Sequence, residues 1–316
     1  MTLIYYDPLF LEHDTGDHPE CADRLRRTVT YLQDSGMWQR CSQPPSIDAT
    51  LDDLQRVHAR EYLAWLEAVC RQGGGRIEID TVVSRQSYRA ACRAAGVVCD
   101  ATRRVLVAED TNALCLVRPP GHHARPSAPM GFCLIDHVAV AAQYALDVLG
   151  LDRVMIVDWD VHHGNGTQEI FWTSERVGFF SIHRFPFYPG TGAADETGAG
   201  PGLGFTCNVP IAFGTPPHEY HQRFQVQLES FAEKVQPQLI FVSAGFDAHR
   251  LDPIGGLDLE VDDFRILTEF TLTIAHRFAQ GRIVSCLEGG YHLDFLPRCV
   301  AAHLDALIRQ EGFHIM

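Results

Sequence analysis

The sequence has no Cys-x-x-Cys pair, although its ten cysteines are scattered from Cys21 to Cys299. It therefore gives no sign of a zinc ribbon or a disulfide scaffold, and the cysteines are interpreted as buried thiols in a reducing compartment. No apolar run approaches the length of a membrane span, and the first residues lack the basic-then-apolar pattern of a signal peptide. Together these absences predict a cytoplasmic protein with no membrane partner.

Positive charge is scarce as well, since 26 lysines and arginines stand against 40 aspartates and glutamates, and the formal net charge is −14. This balance argues against nonspecific binding to nucleic acid and favours a cationic partner, such as a lysine-bearing peptide or a polyamine. The side chains are 46% hydrophobic and 21% charged, which is typical of a globular chain with a sizeable core. Because no linker or internal repeat is visible, we expect a single domain over residues 1–316.

Short apolar runs rich in β-branched residues alternate along the chain with segments whose apolar residues recur at helical spacing. The alternation predicts the α/β class, with a parallel sheet covered by helices on both sides. The predicted strands span residues 2–6, 113–117, 154–157, 177–182, 239–243 and 283–287, and the predicted helices span 24–32, 51–69, 88–107, 138–149, 219–235 and 264–278. In such sheets the active site lies beyond the carboxyl ends of the strands.

The unusual residues of this sequence stand at those strand ends. Five predicted strands run into R-P-P-G-H-H-A, D-W-D-V-H-H, H-R-F, A-G-F-D-A-H and E-G-G-Y-H. In the second of these, the period of two in a strand places Asp158, Asp160 and His162 on one side. Two carboxylates and an imidazole buried together repel one another and lose hydration, so the stretch predicts a bound cation. A helix cap would account for one short polar residue, but not for this cluster.

Asp160, His162 and Asp247 form the best candidate metal site. Their two carboxylate oxygens and one imidazole nitrogen leave a position open for water or substrate, which is the arrangement of a catalytic zinc or iron site. A metal held there would lower the pKa of its bound water from about 15.7 towards 7 and polarise a carbonyl oxygen. The residues alone do not decide between zinc and iron.

Groups for proton transfer are predicted beside this site. His122 and His123 follow the neighbouring strand and can move protons, with Asp158 and Asn165 as candidate partners that fix the ring tautomers. Tyr291 follows two glycines, and its hydroxyl can donate a hydrogen bond to an oxyanion opposite the metal.

The polar loop from Asp7 to Glu20 brings His13, Asp14, Asp17 and His18 close together in the sequence. A metal site is one interpretation of this cluster. Because no apolar strand delivers the four groups, we expect instead a loop that faces substrate or solvent.

The motifs P-P-G-H-H, M-G-F-C, D-W-D-V-H-H-G-N-G-T-Q, Y-P-G-T-G, S-A-G-F-D-A-H with D-P-I-G-G, and E-G-G-Y occur in this order. Together with H-D-T-G-D-H-P-E and Arg24 near the start, they make the chain resemble the histone deacetylase superfamily, most closely its class II and bacterial histone-deacetylase-like amidohydrolases. The resemblance covers the chain from Asp7 to Leu293. It implies an arginase-like three-layer fold with a central eight-stranded parallel sheet and a zinc ion at the base of a narrow tunnel.

The resemblance also assigns roles by position. The zinc ligands that it implies are Asp160, His162 and Asp247, the same three residues that the chemistry favours. Four catalytic residues are implied: the general base and acid His123, its electrostatic partner His122, the Asp158 that is hydrogen-bonded to His122, and the carbonyl-polarising Tyr291.

The tunnel that would receive an acyl-lysine side chain is implied to involve His18, Gly131, Phe132, Tyr188 and Ile254. The family also binds potassium beside the zinc, largely through backbone oxygens, which leave no residue-type signal in a sequence. The first potassium site is implied at Asp158, Asp160, His162, Ser181 and Ile182, and the second at Phe171, Ser174 and Val177.

Three residues depart from the family pattern. Tyr188 stands where phenylalanine is usual in the tunnel, and this exchange can change which acyl chain fits. The H-P-E-x-P pattern reads H-P-E-C, ending at Cys21, and lacks the last proline. Asn165, in place of an aspartate, is the class II version and is compatible with activity.

The leading interpretation is a zinc-dependent amidohydrolase that removes acetyl or other acyl groups from lysine side chains, and the alternative is an acetylpolyamine or other small-molecule amidohydrolase. Family members that favour polyamines resemble one another in a glutamate at the tunnel mouth. This chain has Ile254 there, so we expect an acyl-lysine peptide or protein to be preferred over an acylated small amine. A silent binding module is disfavoured because the metal ligands and Tyr291 are all present. A two-metal ureohydrolase would need a second carboxylate-rich motif in place of the His122-His123 pair, and the sequence has none. The sequence does not indicate the oligomeric state.

Overall fold

The computed structural model describes residues 2–310 of the chain. Its strands are β1 (Leu3–Tyr5), β2 (Gly74–Arg76), β3 (Val82–Ser84), β4 (Asn112–Cys115), β5 (Val154–Asp158), β6 (Val177–Arg184), β7 (Thr206–Ile211), β8 (Ile240–Ala244) and β9 (Ile283–Leu287). Seven of them form one sheet in the order β1-β4-β9-β8-β5-β6-β7, in which all neighbours are parallel. Strands β2 and β3 pair antiparallel in a separate hairpin. The α/β class and the parallel sheet are confirmed.

The central sheet has fewer strands than the family resemblance implied. The family resemblance implied eight strands in the central sheet, whereas the described residues form seven. Strand β7 was not predicted from the sequence, because it lies at the sheet edge and half-buried residues interrupt its buried ones. A strand of this kind lacks the continuous apolar run that marks the central strands.

The helices are α1 (Asp23–Asp34), α2 (Leu51–Leu54), α3 (Arg60–Arg71), α4 (Ser87–Leu106), α5 (His137–Asp147), α6 (Asn165–Phe171), α7 (Pro217–Val235), α8 (Val261–Phe278) and α9 (Leu296–Arg309). Helices α4 and α5 pack together and contact β4, β5, β8 and β9. Helices α1, α9, α8 and α7 form a second continuous layer, which contacts the sheet through α7 and α9. The central strands β5 and β8 are therefore buried along their whole length.

The predicted helix over residues 51–69 is in fact two helices, α2 and α3. Between them lies the buried His58, whose Nε2 accepts a hydrogen bond from the backbone N–H of Asp136 at 2.9 Å. Its Nδ1 donates to the backbone oxygen of Arg125 at 3.1 Å. Both partners are distant in the sequence, so apolar spacing alone could not locate this break.

Buried apolar residues from Leu3 to Leu307 belong to one core cluster, which lies between the sheet and its helices. Within residues 2–310, no helix is both long enough and apolar enough to cross a membrane. The assignment of the whole chain to a single domain stays a prediction.

Candidate active site

The carboxyl ends of the central strands place three potential metal ligands together. The ligand atoms of Asp160, His162 and Asp247 all lie within 4.8 Å of one another, and the three residues are buried. His162 Nδ1 lies 3.1 Å from Asp160 Oδ1 and 3.1 Å from Asp247 Oδ2. Asp160 and His162 follow β5, whereas Asp247 follows its neighbour β8. The structure thus brings together the three residues that the sequence indicates as ligands.

The surroundings of these carboxylates fit a divalent cation. Asp160 Oδ2 accepts a hydrogen bond from the Gly289 N–H, and Asp247 Oδ1 accepts one from the Val161 N–H. Asp247 Oδ2 is buried without a hydrogen-bond partner. Burial and the neighbouring Asp160 raise the pKa of Asp247 to about 7, and they outweigh His162, which lowers it. Two oriented carboxylates and an imidazole are a suitable donor set for zinc or ferrous iron.

His122 and His123 lie beside this donor set with their rings 4.0 Å apart. His122 Nδ1 donates to Asp158 Oδ2 at 2.9 Å, and His123 Nδ1 lies 2.7 Å from Asn165 Oδ1. The Asn165 amide nitrogen points instead to the sulfur of Met130. Because the amide oxygen can only accept, His123 carries its proton on Nδ1, and its Nε2 keeps a lone pair.

The two histidines have opposite electrostatic surroundings. Burial lowers the pKa of His122, but the Asp158 and Asp160 carboxylates outweigh burial and hold this pKa well above its ordinary value. Burial also lowers the pKa of His123, and the positive charges of His122 and His162 lower it further. His122 is therefore cationic, and His123 is neutral. A neutral imidazole with a free nitrogen can accept a proton.

A buried glutamate holds the histidine loop in place. Glu288, directly after β9, accepts hydrogen bonds through Oε2 from the backbone N–H groups of Gly121 at 2.6 Å and His122 at 3.2 Å. Burial raises the pKa of Glu288 to about 8, so the side chain is largely uncharged at neutral pH. The E-G-G-Y motif is visible in the sequence, but its residue types do not indicate this contact of the glutamate.

A cavity of about 220 Å³ reaches the site at His162 and His123. Its lining consists of Asp80, His123, Gly131, Phe132, His162, Phe187, Tyr188, Ile254 and Tyr291. Four of the five expected tunnel residues are among them. Asp80 and Phe187 were not predicted, because carboxylates and phenylalanines are common and neither is marked by its spacing.

His18, which was also predicted as a tunnel residue, is not among the residues that line this cavity. Its ring packs edge-on against Phe132, with 4.5 Å between ring centroids. Its Nε2 donates to the backbone oxygen of Asp80 at 3.1 Å. His18 therefore supports the cavity wall from behind.

Gly131 is required by a close approach in that wall. Its φ is +53°, and a Cβ there would lie 2.5 Å from His123 Cδ2 and 3.0 Å from the Tyr188 hydroxyl. Any other residue would displace the His123 ring or the opposite wall.

Tyr291 is placed by contacts to its backbone and to its ring. Its N–H donates to Asp252 Oδ2 at 2.7 Å, and the Arg24 guanidinium carbon lies 4.8 Å from its ring centroid. The other oxygen of Asp252 accepts from the N–H of Ile254 at 2.9 Å, so one carboxylate orients both Tyr291 and the neighbouring part of the cavity wall. Burial holds the pKa of Tyr291 well above its ordinary value, and its hydroxyl therefore remains a donor.

The residues implied at the potassium sites are also near one another. Asp158 pairs with Ser181 in the register of β5 and β6. At the second set, the Ser174 N–H donates to the Phe171 backbone oxygen at 2.9 Å, and Val177 begins β6. Potassium binding at either place stays a prediction.

The chain is similar to known proteins along most of its length. A family model described as the histone deacetylase domain matches residues 18–307. A probable deacetylase of Archaeoglobus fulgidus is 37% identical over 93% of this chain and 82% of its own length. A histone deacetylase-like amidohydrolase of Pseudomonas aeruginosa is 37% identical over 97% of this chain and 86% of its own length. The crystal structure of the HDA15 HD domain superposes with a TM-score of 0.93 at 36% identity, covering 98% of this chain and 90% of that one.

Proposed function

This chain belongs to the histone deacetylase family, and we propose that it is a zinc-dependent amidohydrolase that removes acetyl or other acyl groups from the side-chain amide of lysine. The observation that carries the proposal is the buried set Asp160, His162 and Asp247 at the base of a narrow cavity. A neutral and a cationic histidine lie beside this set. These are the groups that a metal-assisted attack of water on an amide requires.

Asp160, His162 and Asp247 would hold the zinc ion. When bound, the ion would lower the pKa of a water molecule and polarise the acyl carbonyl. The two backbone N–H donors, from Gly289 and Val161, keep the carboxylates oriented before the ion arrives.

His123 would act as general base and then as general acid. It lines the cavity, and Asn165 holds its protonated Nδ1, so Nε2 can take a proton from the attacking water. The same nitrogen would return this proton to the amine that leaves as the amide C–N bond breaks. His122, held cationic by Asp158, would stabilise the negative charge that develops nearby.

Tyr291 would donate a hydrogen bond to the acyl oxygen, whose negative charge increases as water adds to the carbonyl carbon. Its high pKa keeps the hydroxyl protonated, and Asp252 and Arg24 hold its backbone and ring. A donor placed in this way stabilises the transition state more than the substrate.

The cavity walls favour a long, uncharged side chain as the substrate. Phe132 and Tyr188 offer apolar faces to an alkyl chain, and Ile254 provides no carboxylate for a distant ammonium group. One observation favours the alternative, an acylated polyamine: the acidic residue Asp80 also lines the cavity. A carboxylate at this place would attract a cationic substrate.

The test is a comparison of kcat/KM for an acetyl-lysine peptide and for N-acetylputrescine, with the zinc-loaded and the iron-loaded enzyme at physiological salt. We expect the peptide to have the higher value with zinc. A higher value for the polyamine would reject the lysine substrate in favour of the alternative. A clear advantage of iron would reject zinc as the native metal.

A further inference from the structure

The two most exposed large apolar side chains of the described residues are Ile79 and Phe213, and both are connected to residues that line the cavity. Ile79 is 78% exposed and Phe213 is 70% exposed. Single exposed apolar residues are ordinary on protein surfaces and have no special meaning. These two differ in their neighbours. Ile79 directly precedes Asp80, which lines the cavity, and Phe213 is joined through Arg184 to Phe187, which also lines it.

Phe213 is connected to the cavity wall through an arginine. The guanidinium carbon of Arg184 lies 4.5 Å from the ring centroid of Phe213 and 4.1 Å from that of Phe187, which lines the cavity. Arg184 also donates from Nη1 to the backbone oxygen of Gly255 at 2.9 Å, beside Ile254. These contacts restrict the movement of Phe213, although its ring is mostly in solvent.

Ile79 lies in the loop of the β2–β3 hairpin, which is held against the opposite wall. The next residue, Asp80, lines the cavity, and its backbone oxygen accepts a hydrogen bond from His18. Thr81 accepts one through its hydroxyl from the N–H of Phe132 at 3.1 Å. The hairpin loop is therefore attached to the cavity wall through both Asp80 and Thr81.

The size of the cavity determines what must lie over these residues. A volume of about 220 Å³ admits one long side chain but no segment of polypeptide. If an acyl-lysine side chain enters, the residues on either side of that lysine must remain outside, across the opening. Successive residues of an extended chain advance about 3.3 Å, so the immediate neighbours of the lysine reach the edge of the cavity.

We propose that Phe213 and Ile79, with Arg184 behind Phe213, form a rim surface that binds the polypeptide flanking the acylated lysine and selects an apolar neighbour. This inference rests on the proposed function and names its substrate class more narrowly. A free acylated amine has no flanking residue to place on the rim surface. A peptide with leucine beside the lysine would cover the exposed ring of Phe213 or the side chain of Ile79.

The test uses three substrates with the zinc-loaded enzyme: acetyl-lysine methylamide capped at its amino end, a tripeptide with leucine on both sides of acetyl-lysine, and the same tripeptide with glycine. We expect the leucine peptide to exceed the glycine peptide about three- to tenfold in kcat/KM. Phe213→Ser combined with Ile79→Ser should remove this preference, mainly through KM. The capped acetyl-lysine should be hydrolysed equally well by both enzymes, because it does not reach the rim surface.

Leu203→Ser is the matched control. Leu203 is 64% exposed and precedes β7, so it lies at the amino ends of the sheet strands, on the side away from the cavity. This variant should keep the leucine preference. A preference that survives the double substitution, or that never appears in the wild type, overturns the proposal.

Two further outcomes separate this proposal from the proposed function. If the capped acetyl-lysine is not hydrolysed but N-acetylputrescine is, both the lysine substrate and the rim surface are wrong. If the double substitution converts a dimer into a monomer in analytical ultracentrifugation and leaves peptide selectivity unchanged, a second copy of the chain covers these residues, and the peptide role is rejected.

Discussion

The floor and the rim of the cavity are built in different ways. The floor consists of Asp160, His162, Asp247, His122, His123 and Tyr291, all of them buried and held by backbone or side-chain partners. The rim includes Ile79 and Phe213, which are mostly in solvent. A buried charged group must be paired and oriented, whereas an exposed apolar side chain can be exchanged at little cost. We therefore expect the floor to determine the reaction and the rim to determine the substrate.

The largest effect should come from removing a metal ligand of the floor. Asp247→Ala leaves two ligands, so we expect bound zinc to fall below a tenth of an equivalent and kcat to fall by about a thousandfold or more. Metal analysis of the purified variant gives the first value, and steady-state kinetics the second. Asp258→Ala, at an exposed carboxylate of the same loop region, is the control and should keep its metal. Full zinc occupancy in Asp247→Ala would contradict the assigned site.

A second change keeps the metal and removes only one hydrogen bond. Tyr291→Phe should bind zinc normally and unfold at the same temperature, but its kcat should fall about a hundred- to a thousandfold, the usual loss for a missing oxyanion donor. Kinetics, metal content and a thermal scan are measured on one preparation. If the loss appears in metal content or in melting temperature while kcat is kept, Tyr291 has a structural role only.

Acid should destabilise the folded protein through a buried histidine, His58, whereas the exposed apolar residues of the rim do not titrate. Burial lowers the pKa of His58 to about 4, so the folded state keeps this imidazole neutral while the unfolded chain takes up a proton below its ordinary pKa of about 6.5. The stabilisation is complete above pH 6.5 and is lost as the pH falls towards 4, by at most about 3 kcal/mol. Urea unfolding between pH 7 and pH 4 measures this loss. His58→Gln, which does not titrate, should show a shallower pH dependence than the wild type, and an equal slope would contradict the prediction.

Substitutions of Glu288, which holds the histidine loop in place, should reduce activity less than substitutions in the floor itself. Glu288→Ala removes the acceptor of the Gly121 and His122 N–H groups, and the displaced histidines should lower kcat/KM by about tenfold. Glu288→Gln keeps an uncharged acceptor of nearly the same shape, so we expect it to stay within about threefold of the wild type. Both variants should retain zinc. Equal losses in the two variants would indicate that the charge of Glu288 matters, and not its hydrogen bonds.

The smallest change in activity is expected from a substitution of Ile254 in the cavity wall. Ile254→Glu adds a second acidic residue to the cavity that Asp80 also lines, so kcat/KM for N-acetylputrescine should rise by about five- to tenfold while the value for a neutral acetyl-lysine peptide changes little. The gain should shrink at high salt, because the interaction is exposed. A gain for both substrates would indicate a change in the floor.

The sequence was sufficient to predict that Asp160, His162 and Asp247 lie together, because charged and imidazole side chains are rarely buried together unless they bind a cation. Asp160, His162 and Asp247 stand shortly after apolar strands, and the carboxyl ends of parallel strands meet at one edge of the sheet. The motifs around them predicted the family, and the family model and the structural similarity confirm it.

The parts of the site that could not be predicted from the sequence depend on contacts between segments that are distant in the chain. Glu288 bonds to backbone groups 167 and 166 positions away, and Arg184 reaches Gly255 across 71 positions. Asp80 comes to the cavity on a hairpin that is separate from the sheet. The sequence around these three residues gives no signal of their contacts. Only the three-dimensional structure shows which groups they bind.

In the proposed reaction, this floor adds water to the amide of an acylated lysine. The direct measurement is mass spectrometry of an acetyl-lysine peptide after incubation with the zinc-loaded enzyme in water labelled with oxygen-18. We predict a deacetylated peptide and acetate that carries the label, with the reaction stopped by a chelator and restored by zinc. An intact peptide, unlabelled acetate, or turnover that continues in the metal-free enzyme would contradict the account.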